Sequence, residues 1–173
     1  TWLNLPADSS FAAHVAILDA TTGNWLGSQV AQSPEQATYQ DATLTADGYY
    51  TCGSYTEALG VRARTYPAND QRESLLIQLN DAGEPQWVQT FGGNGQEQAT
   101  ALIADAYGNR WLAGTFDQTF RLGGQAYQPE SGQDIWLQKY GCSNCRDVVT
   151  SRPESPPLST APAPELHLYP NPA

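Results

Sequence analysis

The chain has 173 residues, 40% hydrophobic and 15% charged, a length that suits one ordinary domain or part of a larger one. Eighteen acids against eight bases give a net charge of −10, and the one lysine and seven arginines form no basic run, which argues against the counterion-displacing surface that nucleic acid requires. No stretch approaches the ~20 apolar residues that span a bilayer, and a chain that starts at Thr1 and contains no methionine is expected to be a processed product or a fragment.

Fifteen glycines, 12 prolines, nine tyrosines and five tryptophans favour short strands over long helices. The first clear strand is Ala13-His14-Val15-Ala16-Ile17-Leu18, followed by an Asp/Thr/Gly turn and Trp25. About sixty positions later Ser74-Leu75-Leu76-Ile77-Gln78-Leu79 precedes Asn80-Asp81-Ala82-Gly83 and Trp87, and about sixty further on comes Asp134-Ile135-Trp136-Leu137-Gln138-Lys139-Tyr140. The intervening stretches recur as well. Leu44-Thr45-Ala46-Asp47 matches Leu102-Ile103-Ala104-Asp105, and Thr51-Cys52-Gly53-Ser54-Tyr55 matches Leu112-Ala113-Gly114-Thr115-Phe116.

Within the second unit the predicted strands are 75–79, 87–91, 100–104 and 110–116. Residues 96–105 tolerate a helix by propensity, but the flanking glycines and the following strand pattern favour a strand. Tight turns at Asp81-Ala82-Gly83, Gly92-Gly93-Asn94-Gly95 and Ala106-Tyr107-Gly108-Asn109 make the strands an antiparallel meander. Leu75, Leu76 and Ile77, like Ile135, Trp136 and Leu137, are apolar on both faces, as in a sheet covered on two sides. A four-stranded meander repeated every ~45–60 residues is the signature of an all-β fold built of β-propeller blades.

The run from Trp87 through Phe91-Gly92-Gly93, the acidic Glu97 before an Ala/Ile stretch, Asp105-Ala106-Tyr107-Gly108-Asn109 and Gly114-Thr115-Phe116 resembles the bacterial β-propeller repeat family known as SBBP. The resemblance covers roughly residues 11–140. The earlier unit departs from the pattern, with Ser33-Pro34-Glu35 where Gly-Gly would stand and a shortened turn at Asp47-Gly48-Tyr49. It implies a fold and no shared catalytic motif. On this reading residues 1–13 are the tail of a preceding repeat, 14–73 a degenerate repeat, 74–133 a second repeat and 134–150 a closing strand with a Cys-x-x-Cys. Two full repeats cannot close a ring of at least ~four blades, so upstream blades of the same protein or other protein chains are the expected partners. The final strand, 135–140, is expected to pair with the preceding blade or close the ring, burying Ile135, Trp136 and Leu137.

From Ser151 onward there are seven prolines, and residues 151–164 read as an extended linker. Residues 165–173 follow, and Leu168-Tyr169-Pro170-Asn171-Pro172 resembles the opening of the C-terminal sorting domain of Bacteroidetes type IX secretion cargo. That resemblance implies an exported protein, extracellular or on the outer cell surface, with the secretion machinery as a partner. In such a setting Cys142 and Cys145 are expected to form a small disulfide. A lone pair with no nearby histidine or helix argues against a zinc or redox site.

Little else carries chemistry. Cys52 lies mid-strand and reads as a buried, inert thiol. His14 sits in an apolar strand, and with His167 it builds no Ser/His/Asp or Cys/His constellation. The turns at 19–24, 80–84 and 105–109 lack the alternating ligands and final glutamate of a calcium loop, and their Asp and Asn suit β-turns. Gly92-Gly93-Asn94-Gly95 lacks the Lys-Ser/Thr of a phosphate loop. No catalytic residue, cofactor or metal is therefore expected. The repeating Trp25 and Trp87, with Trp111 and Trp136, are expected to pack within and between blades. Tyr49, Tyr50, Tyr107 and Tyr127 fall at turns and are the candidate exposed contacts, for sugars or partner proteins. The function expected is a non-catalytic scaffold, adhesin or subunit of a surface assembly, or else an accessory propeller of a larger secreted hydrolase or lectin.

Overall fold

The computed structural model describes residues 11–141, in which there are eleven strands and no helix. β1 (Phe11–Leu18) and β2 (Trp25–Ser33) form an antiparallel hairpin. β3 (Ala37–Thr45), β4 (Gly48–Val61), β5 (Arg64–Leu79) and β6 (Pro85–Phe91) follow as a meander in which each strand pairs with the next. β7 (Gln98–Ala104), β8 (Arg110–Phe116) and β11 (Asp134–Tyr140) make a three-stranded antiparallel sheet with β8 in the centre. β9 (Phe120–Leu122) and β10 (Gln125–Tyr127) form a separate short hairpin inserted between β8 and β11.

The four strands expected for the second unit are all present. The meander β3–β6 nonetheless straddles residue 73, which falls inside β5, so the sheet unit and the sequence unit are out of phase. β4 serves two partners along one edge. Its first half pairs with β3, and Gly60 and Val61 reach past the start of β3 to pair with Gln32 and Ala31 of β2. The switch occurs at a register shift between Thr56 and Ala58, where Glu57 adopts φ 57°. A left-handed residue inside a strand bends it and accentuates its twist.

The alternation of side chains along β4 and β5 divides the interior in two. Tyr50, Cys52 and Leu76 face the three-stranded sheet and join Leu102, Leu112, Phe116, Phe120 and Trp136 in one buried cluster. Tyr55, Leu75, Ile77 and Leu79 face the opposite way and pack with Ala13, Ile17 and Ala31 of the first hairpin. Leu75, Leu76 and Ile77 are each fully buried, as a doubly covered strand requires. Trp136 is the largest side chain in the core. It stacks on Phe120 at 5.3 Å and meets Phe91 edge-on at 5.4 Å.

β3–β4 and β7–β8 share one register device. A bulge sits between Tyr39 and Asp41 in the first pair and between Ala99 and Ala101 in the second, and each lies opposite a glycine of the partner strand. At Gly53 an added Cβ would stand 1.9 Å from the Thr38 carbonyl oxygen. At Gly114 it would stand 2.1 Å from the Gln98 oxygen and 2.5 Å from the Trp136 ring. Glycine is required at both positions because backbone or ring occupies the place of a side chain.

Two expectations for apolar residues are corrected. β11 pairs with β8, and Trp136 is fully buried, but Ile135 is 47% exposed and Leu137, on the same face, is only half-buried. Strand alternation sends Ile135 to the outer face of the three-stranded sheet, which no other described element covers. Trp25, expected to pack, is 57% exposed at the start of β2. Its ring lies 5.9 Å from that of the exposed His14, on the outer face of the first hairpin.

Candidate functional site

The two ends of the sheets differ in construction. At one end the strands are joined by tight turns whose Asp and Asn side chains bond their own backbone. Asp19 Oδ1 accepts from Thr21 N at 3.0 Å and Thr22 N at 2.6 Å. Asn80 Oδ1 accepts from Ala82 N at 3.0 Å and Glu84 N at 2.8 Å. Asp105 Oδ1 accepts from Tyr107 N and Asn109 N, both at 2.9 Å. These turns are thus closed by the Asx geometry anticipated from sequence.

At the same end Asp47 and Arg110 form a largely enclosed ion pair at 2.9 Å, their side chains 14% and 6% exposed. Tyr50 donates its hydroxyl to Asp47 Oδ2 at 3.0 Å, and the Arg110 guanidinium lies 4.5 Å from the centre of the Tyr50 ring. Burial opposes ionisation of Asp47, but the hydroxyls of Thr45 and Tyr50 and the Arg110 charge outweigh it and hold the carboxyl below its ordinary value. The cluster ties the β3–β4 turn to β8.

The opposite end carries the longer connections: 33–37, the 57–71 part of the β4–β5 hairpin, 92–97 and 117–133. Three of them converge on two buried acids. Glu73 accepts from the Tyr55 hydroxyl at 2.9 Å and from both Asn69 N and Nδ2 at 2.8 Å. Glu97, fully buried, accepts from Gly93 N at 3.0 Å through Oε2, while its Oε1 has no hydrogen-bond partner among the described residues. Burial pushes the Glu97 carboxyl up to about 7. Backbone donors from Gly93 and Gly95 pull the other way, and the Asp117 and Glu73 charges add to the rise. Gly92 lies between the two acids, since a Cβ there would stand 2.6 Å from Glu73 Cγ and 3.1 Å from Glu97 Oε2.

An acid held near neutrality is a candidate proton carrier. Here both acids are closed to solvent, at 4% and 0% exposure. What is open is a cleft of about 470 Å³ beside them. Its walls are Glu35 and Gln36 from the β2–β3 connection, Thr56 and Glu57 at the β4 kink, Gln71 and Arg72 of β5, and Gln96, with Phe11 at the rim. Arg72 Nη2 donates to Gln36 Oε1 at 2.9 Å, Gln96 Nε2 donates to Gln71 Oε1, and Gln96 N donates to Asp117 Oδ1 at 2.7 Å. Thr56 Oγ1 and Arg72 Nε are buried in the wall without a partner among the described residues.

The sequence-derived contact tyrosines do not form one site. Tyr107 is 79% exposed at the tip of the β7–β8 turn, and Tyr49 is half-buried near the same end. Tyr127 is half-buried at the far end, on β10. Tyr50 is corrected outright: it is 1% exposed and wedged between Trp87 and Arg110, so it belongs to the core. Cys52 is fully buried, and burial pushes its thiol up to about 12. Cys142, Cys145 and 168–172 lie outside the described residues.

Sequence reasoning did not single out Glu73 or the cleft. Glu97 was visible as the acid that precedes the Ala/Ile stretch, but nothing in its spacing announced that it would be enclosed. The chain matches no family profile, no curated protein and no solved structure.

Proposed function

We propose that the chain is part of a β-propeller that serves as a non-catalytic scaffold or adhesin in an exported, cell-surface assembly, its ring completed by further like meanders. One observation carries the ring reading. Tyr50, Cys52 and Leu76 form the face of the β3–β6 meander that is buried against the next sheet. Sixty-one positions later stand Trp111, Ala113 and Leu137, on the outward face of the β7–β8–β11 sheet, and all three are half-buried with no layer over them among the described residues. Ile103 and Ile135 extend that face, at 65% and 47% exposure. A sheet face whose counterpart one repeat earlier is core is a docking face for the next meander. The repeated bulge and glycine at Gly53 and Gly114 support the same repeat.

Export and surface location rest on the segment ending Leu168-Tyr169-Pro170-Asn171-Pro172. Analytical ultracentrifugation tests the docking face. The expected result is concentration-dependent association that Ile103→Lys with Ile135→Lys abolishes while thermal stability is kept. A monomer at all concentrations, with the face protected from hydrogen exchange, would sink it. Protease shaving of intact producing cells tests location, and the export reading fails where the protein stays protected until lysis.

A further inference from the structure

We propose that the cleft between the β2–β3 connection, the β4 kink and β5 binds a short neutral saccharide. Its volume of about 470 Å³ lies within the ~300–1,000 Å³ range of small-molecule sites. Among the described residues the polar groups on its walls are three carboxamides, one guanidinium, two carboxylates and a hydroxyl. Each sugar hydroxyl both donates and accepts. Arg72 and the amides offer donors to its oxygen, and Glu35 and Glu57 accept its proton. Two carboxylates against one guanidinium repel a small anion, and a small cation is the competing reading that the spermidine comparator decides. A neutral polyol can use both kinds of group.

Four further features mark the cleft as built rather than incidental. The hydrogen bonds from Arg72 to Gln36 and from Gln96 to Gln71 hold the planar groups in place before any ligand arrives. Glu57, at φ 57°, keeps its backbone in the left-handed region at the cleft wall, a conformation that persists in non-glycine residues only where its surroundings impose it. Thr56 Oγ1 and Arg72 Nε remain without a partner in that wall among the described residues. Phe11, 59% exposed at the rim, presents an apolar ring to the C–H face of a pyranose.

The inference goes beyond the ring reading and does not depend on it, because the lining residues it uses, from Glu35 to Gln96, belong to the described strands and their connections and need no further meander. It also moves the saccharide contact away from Tyr49, Tyr50 and Tyr107, which stand at the opposite end of the sheets. The test is saturation-transfer difference NMR on the intact chain with cellobiose, maltose, lactose and chitobiose, with citrate and spermidine as ionic comparators. At least one disaccharide is expected to show transfer and neither ion to compete. The double variant Glu57→Gly/Gln71→Ala, both exposed side chains, is expected to weaken that binding at least tenfold with a melting temperature no lower than that of the wild type. Silence from all four disaccharides, a response to citrate or spermidine alone, or disaccharide binding that survives the double variant overturns the proposal. Failure of the ring reading would appear in sedimentation and leave this titration unaffected.

Discussion

Arg110 Nη1 lies 2.9 Å from Asp47 Oδ2, joining residues 63 positions apart across the seam between the two sheets. The same guanidinium donates from Nη2 to the Gly141 carbonyl at 2.6 Å, so one side chain fastens the β3–β4 turn, the start of β8 and the end of β11. Removing one partner of an enclosed pair leaves the other uncompensated. Arg110→Leu is therefore expected to cost about 3–5 kcal/mol in urea unfolding at pH 7. Asp47 is held below its ordinary pKa in the folded state, so its contribution is present above the unfolded value and is lost as pH falls through the folded one. The stability difference between wild type and Asp47→Asn is expected to shrink towards zero in acid.

Glu97 has the opposite sign. Its folded pKa of about 7 stands above the unfolded value near 4.5, so the folded state keeps a proton that the unfolded state has lost. Stability from this group is complete below the unfolded value and falls as pH rises to about 7. Glu97→Gln is expected to flatten that slope and to be the more stable protein at pH 8, by on the order of 3 kcal/mol. Thermal melts between pH 4 and pH 8 measure this, and parallel curves for the two proteins would refute the assignment.

Trp136→Ala removes the ring stacked on Phe120 and is expected to cost about 3–5 kcal/mol in chemical denaturation. A loss below about 1 kcal/mol, small against that range, would show that β11 lies outside the core. Gly114→Ala tests the same spot from the other side. Its Cβ would press the Trp136 ring and the Gln98 carbonyl, so a loss of about 1–3 kcal/mol is expected.

Cys52 should stay unmodified by iodoacetamide in the folded protein and become labelled with the rate of global unfolding, because its thiol is fully buried and raised to about 12. Peptide mass mapping distinguishes it from Cys142 and Cys145. Labelling of Cys52 within minutes under native conditions would mean that the meander opens locally.

The strand pattern was legible because it is written in local chemistry. Apolar runs such as Leu75-Leu76-Ile77 and the Asx turns at Asn80 and Asp105 mark strand and turn without help from distant residues. The direction of a strand's faces was legible only where both faces are covered. Ile135 and Trp136 look alike in sequence, and only the partner layer decides which is core. Tyr50 shows the same limit: it follows a turn, as exposed tyrosines do, yet Arg110 and Trp87, 60 and 37 positions away, enclose it. The cleft was illegible for a related reason. Its walls come from four separate stretches, and its key backbone feature is a left-handed glutamate that no residue type announces.

The hairpin turn Gly123-Gly124 has both residues at positive φ, 59° and 83°, and an added Cβ at either would meet nothing within 4 Å among the described residues. Paired glycines of that kind suit the two-residue turn joining β9 to β10. Because β9–β10 is a separate two-stranded sheet at the end of the sheets with the longer connections, a short peptide placed between the two glycines would project outward without re-registering β7, β8 or β11. The molecule therefore has a natural handle there for an affinity tag or a fluorophore, on the same end as the cleft.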